Sequence, residues 1–499
     1  MKYIFFPTSD GEFANVADCA KIRALLGADV TIVLCNENVC HCWHNMQRNR
    51  GLCFLCKRQI KWFVSHMPSS VKLISIDDYA DENVLKRIQT LSFEYNSVDD
   101  IKKICFDGVN IGYGCLSSYV TITRNLNPLI DDEFKVYFDS FLRSTCYLTH
   151  CQKAILLREK PDHIYLFNGR FSHVRPLVEL AKSLDIEFTC TEGTYSYEGK
   201  IYQNNFENTM PHSIEVNTKL MENAWKDISV SQSEKEWLGN LFYQSKVNCS
   251  FTGDTNYTSG QSLGLLPKGW DNTKKNYVIF NSSEDEFFSI GDEYDKKKVF
   301  DSQIDGISYI AEKLQDRDDV HVYLRIHPNL KDIKYKYHTD LLKLGEKYRN
   351  LTVIPGDSPI SSYSLINVSD RIVVFGSTIG AESAYAGKPV INLAGAPYSG
   401  LAITYNPETP EQLFPLLQKE ILPNKANRCH LLMFGYYYMY IRRPRTVFFD
   451  QDIISKKHFG KLLRYQNHQN IYGSHLLYYV FVILVRRFFA KVSIPFTEA

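Results

Sequence analysis

Short apolar runs alternate with segments of helical spacing along most of the chain. The strand-like runs are residues 2–6, 30–34, 163–167 and 186–190 in the first half, and residues 276–280, 320–326, 351–354, 372–375 and 390–393 in the second. Helical patterns lie between them, among others at residues 14–26, 302–314 and 380–386. Strands that alternate with helices in this way predict parallel sheets covered by helices. The predicted fold class is α/β, with doubly wound domains.

A polar stretch separates the two halves. Over residues 208–276 Asn, Ser, Thr, Gly and Lys recur and long apolar runs are scarce. We therefore expect an N-terminal domain over residues 1–250 and a C-terminal domain over residues 275–425.

The last part of the chain has a different composition. Residues 433–441 are densely aromatic and precede three arginines, and residues 476–485 are apolar and precede Arg486 and Arg487. A run of that length is about half of the roughly 20 residues that a membrane helix needs. The pattern predicts a helical tail over residues 426–499 that either lies on an anionic membrane surface or packs against the body or a subunit partner.

Charge and cysteine content limit the partners and the compartment. The 499 residues carry a formal net charge of +1, so we expect no global attraction to nucleic acid. The opening MKYIFFPTSDGEF lacks the basic and apolar segments of a signal peptide. We expect a cytoplasmic protein whose 13 cysteines are thiols or metal ligands.

Four cysteines form a candidate metal site. Cys53 and Cys56 have the spacing of a zinc knuckle, and Cys40 and Cys42 lie a short loop upstream. Four thiolates would complete a tetrahedral structural zinc site. The alternative is a set of buried free thiols.

The most informative stretch is a strand, a glycine turn and a helix at residues 371–393. The strand stops at Gly376, and Ser377 and Thr378 occupy the positions where a helix N-cap belongs. Ligands bind at this edge of open α/β sheets, and N–H groups at a helix start favour anions. The turn predicts a phosphate site, with Glu382 one turn later placed to accept bonds from sugar hydroxyls.

Two other strands of the second half end in polar residues at the same predicted edge. Asn281 and Ser282 follow residues 276–280, and we expect them to contact the donor. Arg325 and His327 lie on one face at the end of residues 320–326, and Pro328 favours an extended exit at His327. The cation and the imidazole predict a pyrophosphate clamp.

The first half places carboxylates and donors after its own strands. Glu192 follows a strand and precedes a glycine, while Asp10 and Glu12 lie in the predicted polar loop at residues 7–12, after the first strand. These acids are candidate catalytic bases. The candidate acceptor-binding residues are Arg170, His173 and, in a glycine- and hydroxyl-rich turn at residues 111–119, Ser117.

The order of these motifs resembles that of GT-B glycosyltransferases, in particular the bacterial capsule and lipopolysaccharide biosynthesis transferases with their Kdo- and sialyltransferase relatives. Those families carry an acidic-acidic-Gly element, a His-Pro element and a Ser/Thr-rich turn, which match Thr191-Glu192-Gly193, His327-Pro328 and Ser377-Thr378. The resemblance covers about residues 160–395. It implies a GT-B-like fold of two Rossmann-like domains facing a cleft, an acceptor domain and a nucleotide-sugar donor domain, followed by the helical, aromatic tail.

The resemblance also implies roles. Glu192 would deprotonate an acceptor hydroxyl for an inverting displacement at the anomeric carbon, and Glu382 would hold ribose. The leaving phosphate would be stabilised by Arg325, His327, Ser377, Thr378 and the N–H groups around Ile379. No metal or other cofactor would be required for catalysis. Thr191 replaces the usual first acid, which leaves the base open between Glu192, Asp10 and Glu12.

The predicted function is transfer of a sugar from a nucleotide-sugar to a glycan or glycolipid acceptor of a surface polysaccharide, peripheral to the inner face of the plasma membrane. Three alternatives remain open at the level of sequence. They are a CDP-glycerol-type polyol-phosphate transferase, a nucleotide-sugar epimerase and a non-catalytic sugar-binding assembly subunit.

Overall fold

The computed structural model describes residues 1–7, 10–35, 42, 45, 50–197, 200–248, 252–253 and 260–445. The described chain forms two compact units. Within the described residues, unit 1 comprises Met1–Pro211, Phe288–Ile290 and Arg442–Arg445, and unit 2 comprises His212–Phe287 and Gly291–Ile441. Each unit has its own parallel sheet.

The strands follow one another along the chain in the order predicted for an α/β protein. They are β1 (Lys2–Phe5), β2 (Asp29–Leu34), β3 (Lys72–Ser75), β4 (Cys105–Phe106), β5 (Val109–Asn110), β6 (His163–Phe167), β7 (Glu187–Tyr197), β8 (Lys200–Glu207), β9 (Thr252–Gly253), β10 (Lys275–Phe280), β11 (Val320–Arg325), β12 (Leu351–Ile354), β13 (Arg371–Val374), β14 (Val390–Asn392) and β15 (Arg442–Arg445).

Helices connect most of these strands. They are α1 (Asp10–Leu25), α2 (Arg50–Ser65), α3 (Glu82–Gln89), α4 (Val98–Lys102), α5 (Gly112–Thr123), α6 (Asp132–Glu159), α7 (Arg175–Ser183), α8 (Ile214–Lys226), α9 (Gln232–Val247), α10 (Asp292–Asp295), α11 (Gln303–Leu314), α12 (Lys336–Lys347), α13 (Ser362–Val368), α14 (Ile379–Tyr385), α15 (Pro410–Gln418) and α16 (Arg428–Tyr440). Short 3-10 helices occur at Ile76–Tyr79, Glu284–Glu286, Pro328–Leu330 and Ser399–Leu401.

The main sheet of unit 1 runs in the order β15-β8-β7-β6-β1-β2-β3. Strands β3, β2, β1, β6 and β7 are parallel, and β8 and then β15 add antiparallel at one edge. The parallel strands therefore reverse their winding direction between β1 and β6. This arrangement is the doubly wound topology, which confirms the predicted fold class for unit 1.

The sheet of unit 2 has the same winding. Its order is β12-β11-β10-β13-β14, with every pair parallel. The reversal lies between β10 and β13. In open sheets of this kind ligands bind at the carboxyl ends of the strands beside such a reversal. Each unit therefore has one edge at which a ligand site is expected.

Buried apolar strands and small helical residues hold these sheets to their helices. In unit 1, Ala17 and Ala20 of α1 are fully buried against β1 and β2, because alanine lets the helix backbone approach the sheet closely. In unit 2, Ile307 and Ile310 of α11 pack against the fully buried interior of β10 and β11. The alternating pattern of the sequence follows directly from this packing.

The boundary between the units differs from the predicted one. The sequence suggested a first domain that ends at residue 250, but unit 1 gives way to unit 2 after Pro211. The reason is a close helix crossing within unit 2: a Cβ on Gly239 of α9 would lie 2.5 Å from the Leu432 carbonyl oxygen of α16. Helices α8 and α9 therefore pack with α16, although their polar composition had suggested the end of the first domain.

For the predicted tail over residues 426–499, the described part favours packing against the body over a membrane contact. Its aromatic part forms α16, whose residues from Leu431 to Tyr437 are buried in unit 2, so these rings belong to the core and not to a membrane contact. The arginine-rich part forms β15 on the sheet of unit 1. Residues 446–499, including the apolar run, lie outside the described part. Among the residues that are described, no helix has both the length and the apolar character to span a bilayer.

Candidate functional site

Glu192 lies on β7 at an irregularity in the unit 1 sheet. Its cross-strand partner is Asn204 of β8, and the register shifts between Glu192 and Thr194, where Gly193 adopts a left-handed conformation with φ of +67°. A bulge of this kind changes the direction of a side chain at the end of a strand. The Glu192 side chain is partly exposed there.

The surroundings of Glu192 give its carboxyl group an unusual pKa. Burial raises the pKa to about 7, against the opposing effects of the Arg170 charge and of a hydrogen bond from Asn168. That bond runs from Asn168 Nδ2 to Glu192 Oε1 over 2.6 Å. A carboxyl group with a pKa near the working pH is suited to act as a general base.

Arg170 is the cation beside this carboxyl group. Arg170 is only 8% exposed. Its Nη2 donates to Thr121 Oγ1 over 3.3 Å, and its guanidinium carbon lies 4.8 Å from the centre of the Phe171 ring. The structure therefore brings Arg170 and Glu192 together, as the sequence suggested, although the guanidinium is more buried than an acceptor-binding role would require.

Two other predicted acceptor residues are corrected by their burial. Ser117 is 0% exposed because residues 112–123 form helix α5 itself and not a loop before a helix. His173 is 1% exposed, and its ring stacks on Phe171 at a centroid distance of 6.2 Å. A side chain without exposed surface cannot contact an acceptor in this state.

The alternative bases lie in the first turn of a helix and not in the predicted loop. Asp10 is the first residue of α1, directly after the loop that follows β1, and Glu12 lies in the first turn of the same helix. Their side chains lie outside the described part of the chain. Asp10 and Glu12 therefore stay predictions.

In unit 2 the glycine turn after β13 is built as the sequence predicted. Gly376 has φ of +79° and a Cβ there would lie 2.4 Å from the Gly395 carbonyl oxygen, so only glycine fits. The Tyr398 hydroxyl donates to the Ser377 carbonyl oxygen over 2.6 Å and fixes the start of α14. Tyr398 comes from far along the chain, so sequence spacing gave no signal for it.

The polar groups of this turn point to an anion contact. Thr378 is exposed and Ser377 is partly exposed, and neither hydroxyl has a hydrogen-bond partner in the described structure. Ile379 is the first residue of α14, so its N–H group has no acceptor within the helix. Since α14 has only seven residues, these N–H and hydroxyl groups matter more than its dipole.

Glu382, one turn into α14, is partly exposed and keeps one oxygen for a ligand. The Tyr363 hydroxyl donates to its Oε2 over 2.6 Å. This bond fixes the direction of the carboxylate, and Oε1 is the oxygen that a ribose hydroxyl would reach. Tyr363 lies on α13, and the sequence analysis did not identify it.

His327 lies at the end of β11 and begins the 3-10 helix Pro328–Leu330. Its Nδ1 accepts a hydrogen bond from the Asn329 backbone N–H over 3.2 Å, so in the neutral ring the proton sits on Nε2. The residue is partly exposed. An imidazole with Nε2–H as donor is suited to a phosphate oxygen, as the sequence suggested.

Arg325 is placed differently from the expectation. The residue is 1% exposed, and its guanidinium donates to the Pro355 carbonyl oxygen and, over 3.1 Å, to the Ser358 carbonyl oxygen. Burial lowers its pKa to about 10. In this structure Arg325 holds the loop between β12 and α13 and presents no donor to a phosphate.

Asn281 and Ser282 also have structural partners. Both are at most 3% exposed; Asn281 Oδ1 accepts from the His327 N–H over 2.8 Å, and the Ser282 hydroxyl accepts from Gln303 Nε2 over 2.9 Å. The predicted donor contact is therefore corrected for both. Asn281 instead holds the backbone that positions His327.

The cysteine cluster is described only in part. Cys53 and Cys56 lie three residues apart on α2, and Asn45, in a tight turn with Cys42, donates from Nδ2 to Cys53 Sγ over 3.0 Å. The structure thus brings the Cys42 segment to α2. Cys40 lies outside the described residues, and the residues that are described contain no group of three or more side chains placed to hold a metal.

Comparisons with known proteins give distant structural similarities. A scan against protein-family models finds no match, and a search of curated proteins finds none. Among solved structures, a β-Kdo 2,4 transferase, KpsC of Thermosulfurimonas dismutans, is similar with a TM-score of 0.39 and 17% identity, over 57% of this chain and 82% of that one. It is a transferase of the kind that the motif order resembled.

Two further solved structures are similar over more of the chain. The UDP-GlcNAc 2-epimerase of Methanocaldococcus jannaschii has a TM-score of 0.29 and 11% identity, over 88% of this chain and 100% of that one. The calicheamicin glycosyltransferase CalG4 has a TM-score of 0.26 and 11% identity, over 87% and 95%. All these TM-scores are below 0.5, so the similarities are distant.

Proposed function

We propose that the chain is an inverting glycosyltransferase that moves a sugar from a nucleotide-sugar to a hydroxyl group of a surface-polysaccharide acceptor, of the capsule or lipopolysaccharide type. The observation that carries the proposal is Glu192: a residue at a bulge, where the parallel pairing of β7 with β6 ends, whose carboxyl group has its pKa raised to about 7 by burial.

The proposed reaction is a single displacement. Glu192 takes the proton of the acceptor hydroxyl, whose oxygen forms the new bond to the anomeric carbon. The bond from that carbon to the donor phosphate breaks, and its electron pair leaves with the nucleotide. Attack from the opposite face inverts the configuration at this carbon.

The proposal assigns the donor contacts to unit 2. The His327 Nε2–H, the hydroxyls of Ser377 and Thr378 and the N–H of Ile379 would bind the phosphates, and Glu382 Oε1 would accept from ribose. Metal independence is part of the proposal. Because Arg325 is engaged by the loop between β12 and α13, the phosphates would be held by neutral donors, among them the His327 Nε2–H.

The test is a nucleotide screen followed by product analysis. Thermal shifts with CMP, CDP, UDP, GDP and their sugars, with and without chelator, identify the donor, since a ligand at 100 times its Kd adds about 2.7 kcal/mol. Mass spectrometry with the matching donor and a glycan acceptor then detects transfer. We expect one nucleotide to stabilise the protein and transfer to persist in chelator.

The other outcomes would overturn the proposal in distinct ways. Transfer of glycerol phosphate from CDP-glycerol would identify a polyol-phosphate transferase, and a changed nucleotide-sugar without acceptor would identify an epimerase. Nucleotide binding with no turnover for any pair would identify a non-catalytic sugar-binding subunit. Loss of transfer in chelator that added Mg²⁺ restores would contradict metal independence.

A structural zinc ion at Cys40, Cys42, Cys53 and Cys56 is a separate proposal. The contact of Asn45 with Cys53 Sγ supports it, since a neighbouring N–H group stabilises a thiolate ligand. Elemental analysis should find about one zinc per chain. Cys53→Ser should lose it, whereas Cys429→Ser, at an exposed thiol on α16, should keep it. A zinc content unchanged by Cys53→Ser would rule the site out.

A further inference from the structure

Asn168 and Gly169 form a left-handed turn directly after β6. Their φ angles are +56° and +89°. The Asn168 N–H donates to the Thr191 carbonyl oxygen over 3.0 Å, which attaches the turn to the residue next to Glu192. A Cβ on Gly169 would lie 2.9 Å from Met210 Cγ and 3.1 Å from Cys190 Sγ, so the turn is tightly packed. The position of Asn168 is therefore set by the fold.

The side chain of Asn168 has one orientation that satisfies both of its neighbours. The residue is 3% exposed, and its Oδ1 accepts from the Arg170 backbone N–H over 3.3 Å. That contact requires the oxygen on the side of Arg170. The amide nitrogen must then face Glu192, to which it donates over 2.6 Å. The hydrogen bond from the Arg170 backbone thus determines that Asn168 Nδ2, and not Oδ1, contacts the Glu192 carboxylate.

We infer that Asn168 is the positioning residue of the Glu192 base: its amide fixes the direction of the carboxylate and favours the ionised form. The inference rests on the proposed function, in which Glu192 accepts the acceptor's proton. Nothing in the motif order assigned a role to Asn168, whose type is common in left-handed turns for backbone reasons alone.

The electrostatic consequence follows from the groups that act on Glu192. Burial opposes ionisation, whereas Arg170 from the same loop and the Asn168 amide favour it. On its own strand the neighbouring titratable group is Cys190, a fully buried thiol. Without the amide the carboxyl group would hold its proton to a higher pH and a smaller fraction would act as base at neutrality.

The test separates the amide from the backbone turn. Asn168→Gly keeps a residue that adopts positive φ and removes only the amide, while Asn168→Asp keeps the acceptor for the Arg170 N–H and places a second carboxylate beside Glu192. The matched control is Asn208→Gly: Asn208 also has φ of +54°, and its side chain contacts the Phe188 N–H at the far end of β7.

The readout is the pKa of Glu192 itself. It is measured by NMR of protein labelled with ¹³C at the glutamate carboxyl carbons, and the Glu192 signal is assigned as the one that is absent in Glu192→Gln. We expect the pKa of Glu192 to rise by about 1 unit in Asn168→Gly, and by more in Asn168→Asp. It should stay at the wild-type value in Asn208→Gly. An unchanged pKa in both Asn168 variants would overturn the inference.

Turnover provides the second readout. If Glu192 is the base, a rise of about 1 pKa unit lowers kcat about tenfold on the acidic limb of the pH profile, and the loss disappears at high pH. A purely structural defect would not be restored by pH. Because the NMR titration needs no substrate, a protein without transferase activity would contradict the proposed function while the coupling of Asn168 to Glu192 is still measured.

Discussion

At the scale of single residues, Glu192 and Arg325 have different roles, although the sequence analysis predicted a ligand-site role for both. Arg325 is the last residue of β11, and Glu192 follows the last residue of β7 that pairs with β6. Glu192 is partly exposed and its pKa is raised to about 7, whereas Arg325 is buried and bonded to the carbonyl oxygens of Pro355 and Ser358. The first group is therefore suited to proton transfer and the second to holding a loop.

The raised pKa of Glu192 makes a prediction about stability. A carboxyl group whose pKa is higher in the folded state stabilises the fold below its ordinary pKa, and this contribution is lost as the pH rises to about 7. Glu192→Gln removes the dependence. Between about pH 4 and about pH 8, the free energy of unfolding of the variant should rise relative to that of the wild type by on the order of 2 kcal/mol.

Denaturant unfolding of both proteins at the two pH values measures this gain. If the difference between variant and wild type is the same at both, the Glu192 carboxyl group does not carry the raised pKa.

Residue types and their order along the chain were enough to single out Glu192, His327 and the Ser377-Thr378 turn as candidates, and the roles of these residues stay predictions. Spacing could not show the direction of the Arg325 side chain, because its partners lie 30 and 33 residues further along the chain. Asn168, Tyr363 and Tyr398 were missed for the same reason: each acts on a site residue that is distant in sequence.

At the scale of secondary structure elements, buried contacts decide which loops are fixed. Arg325→Lys tests this at the loop between β12 and α13. Lysine lacks the planar guanidinium that lets Arg325 donate to two carbonyl oxygens at once. We therefore expect the free energy of unfolding of unit 2 to fall by on the order of 2 kcal/mol. Nucleotide affinity of the folded protein should change by no more than a few-fold.

Thermal unfolding together with nucleotide titration measures both effects. An unchanged Tm with lost nucleotide binding would reverse the assignment and restore Arg325 as a phosphate ligand.

The crossing of α9 and α16 makes a second prediction at this scale. A Cβ on Gly435 would lie 2.5 Å from the Gly239 carbonyl oxygen, so Gly435→Ala must separate the two helices. We expect the free energy of unfolding to fall by about 1–3 kcal/mol. Gly260→Ala is the control, since a Cβ there meets nothing within 4 Å. Equal Tm values for the two variants would contradict the close crossing.

The sequence predicted secondary structure elements where they are apolar and missed them where they are polar. The parallel strands other than β3 were predicted because each is an apolar run; β6 and β12 match the expected 163–167 and 351–354. Strand β3 was missed, since only Leu73 and Ile74 are apolar in it. The strands β8 and β15 were missed, since polar residues and arginines fill them. The end of unit 1 was misplaced because glycines that let helices approach give no hydrophobic signal.

At the scale of the whole molecule, the two doubly wound units carry different chemistry. Unit 1 holds the carboxyl group suited to be a base, and unit 2 holds the hydroxyl and N–H donors suited to a nucleotide. That assignment is consistent with the proposed transferase.

The C-terminal residues make a prediction at this scale. The run 476–485 followed by Arg486 and Arg487 has the pattern of an interfacial segment, which is the basis for proposing a peripheral protein at the inner membrane face. The full chain should sediment with vesicles that contain anionic lipid and not with neutral ones, and a chain that ends at Tyr472 should stay in the supernatant. Sedimentation of the shortened chain with anionic vesicles would contradict this role.

The central claim is that Glu192 is the base of a glycosyl transfer. The most direct measurement is the pH dependence of kcat/KM for the wild type, with Glu192→Gln, Asp10→Asn and Glu12→Gln assayed under the same conditions. The account predicts an acidic limb with an apparent pKa of about 7, lost with the activity in Glu192→Gln and kept in the other two variants. Full turnover in Glu192→Gln, or loss of the limb in Asp10→Asn or Glu12→Gln instead, would contradict it.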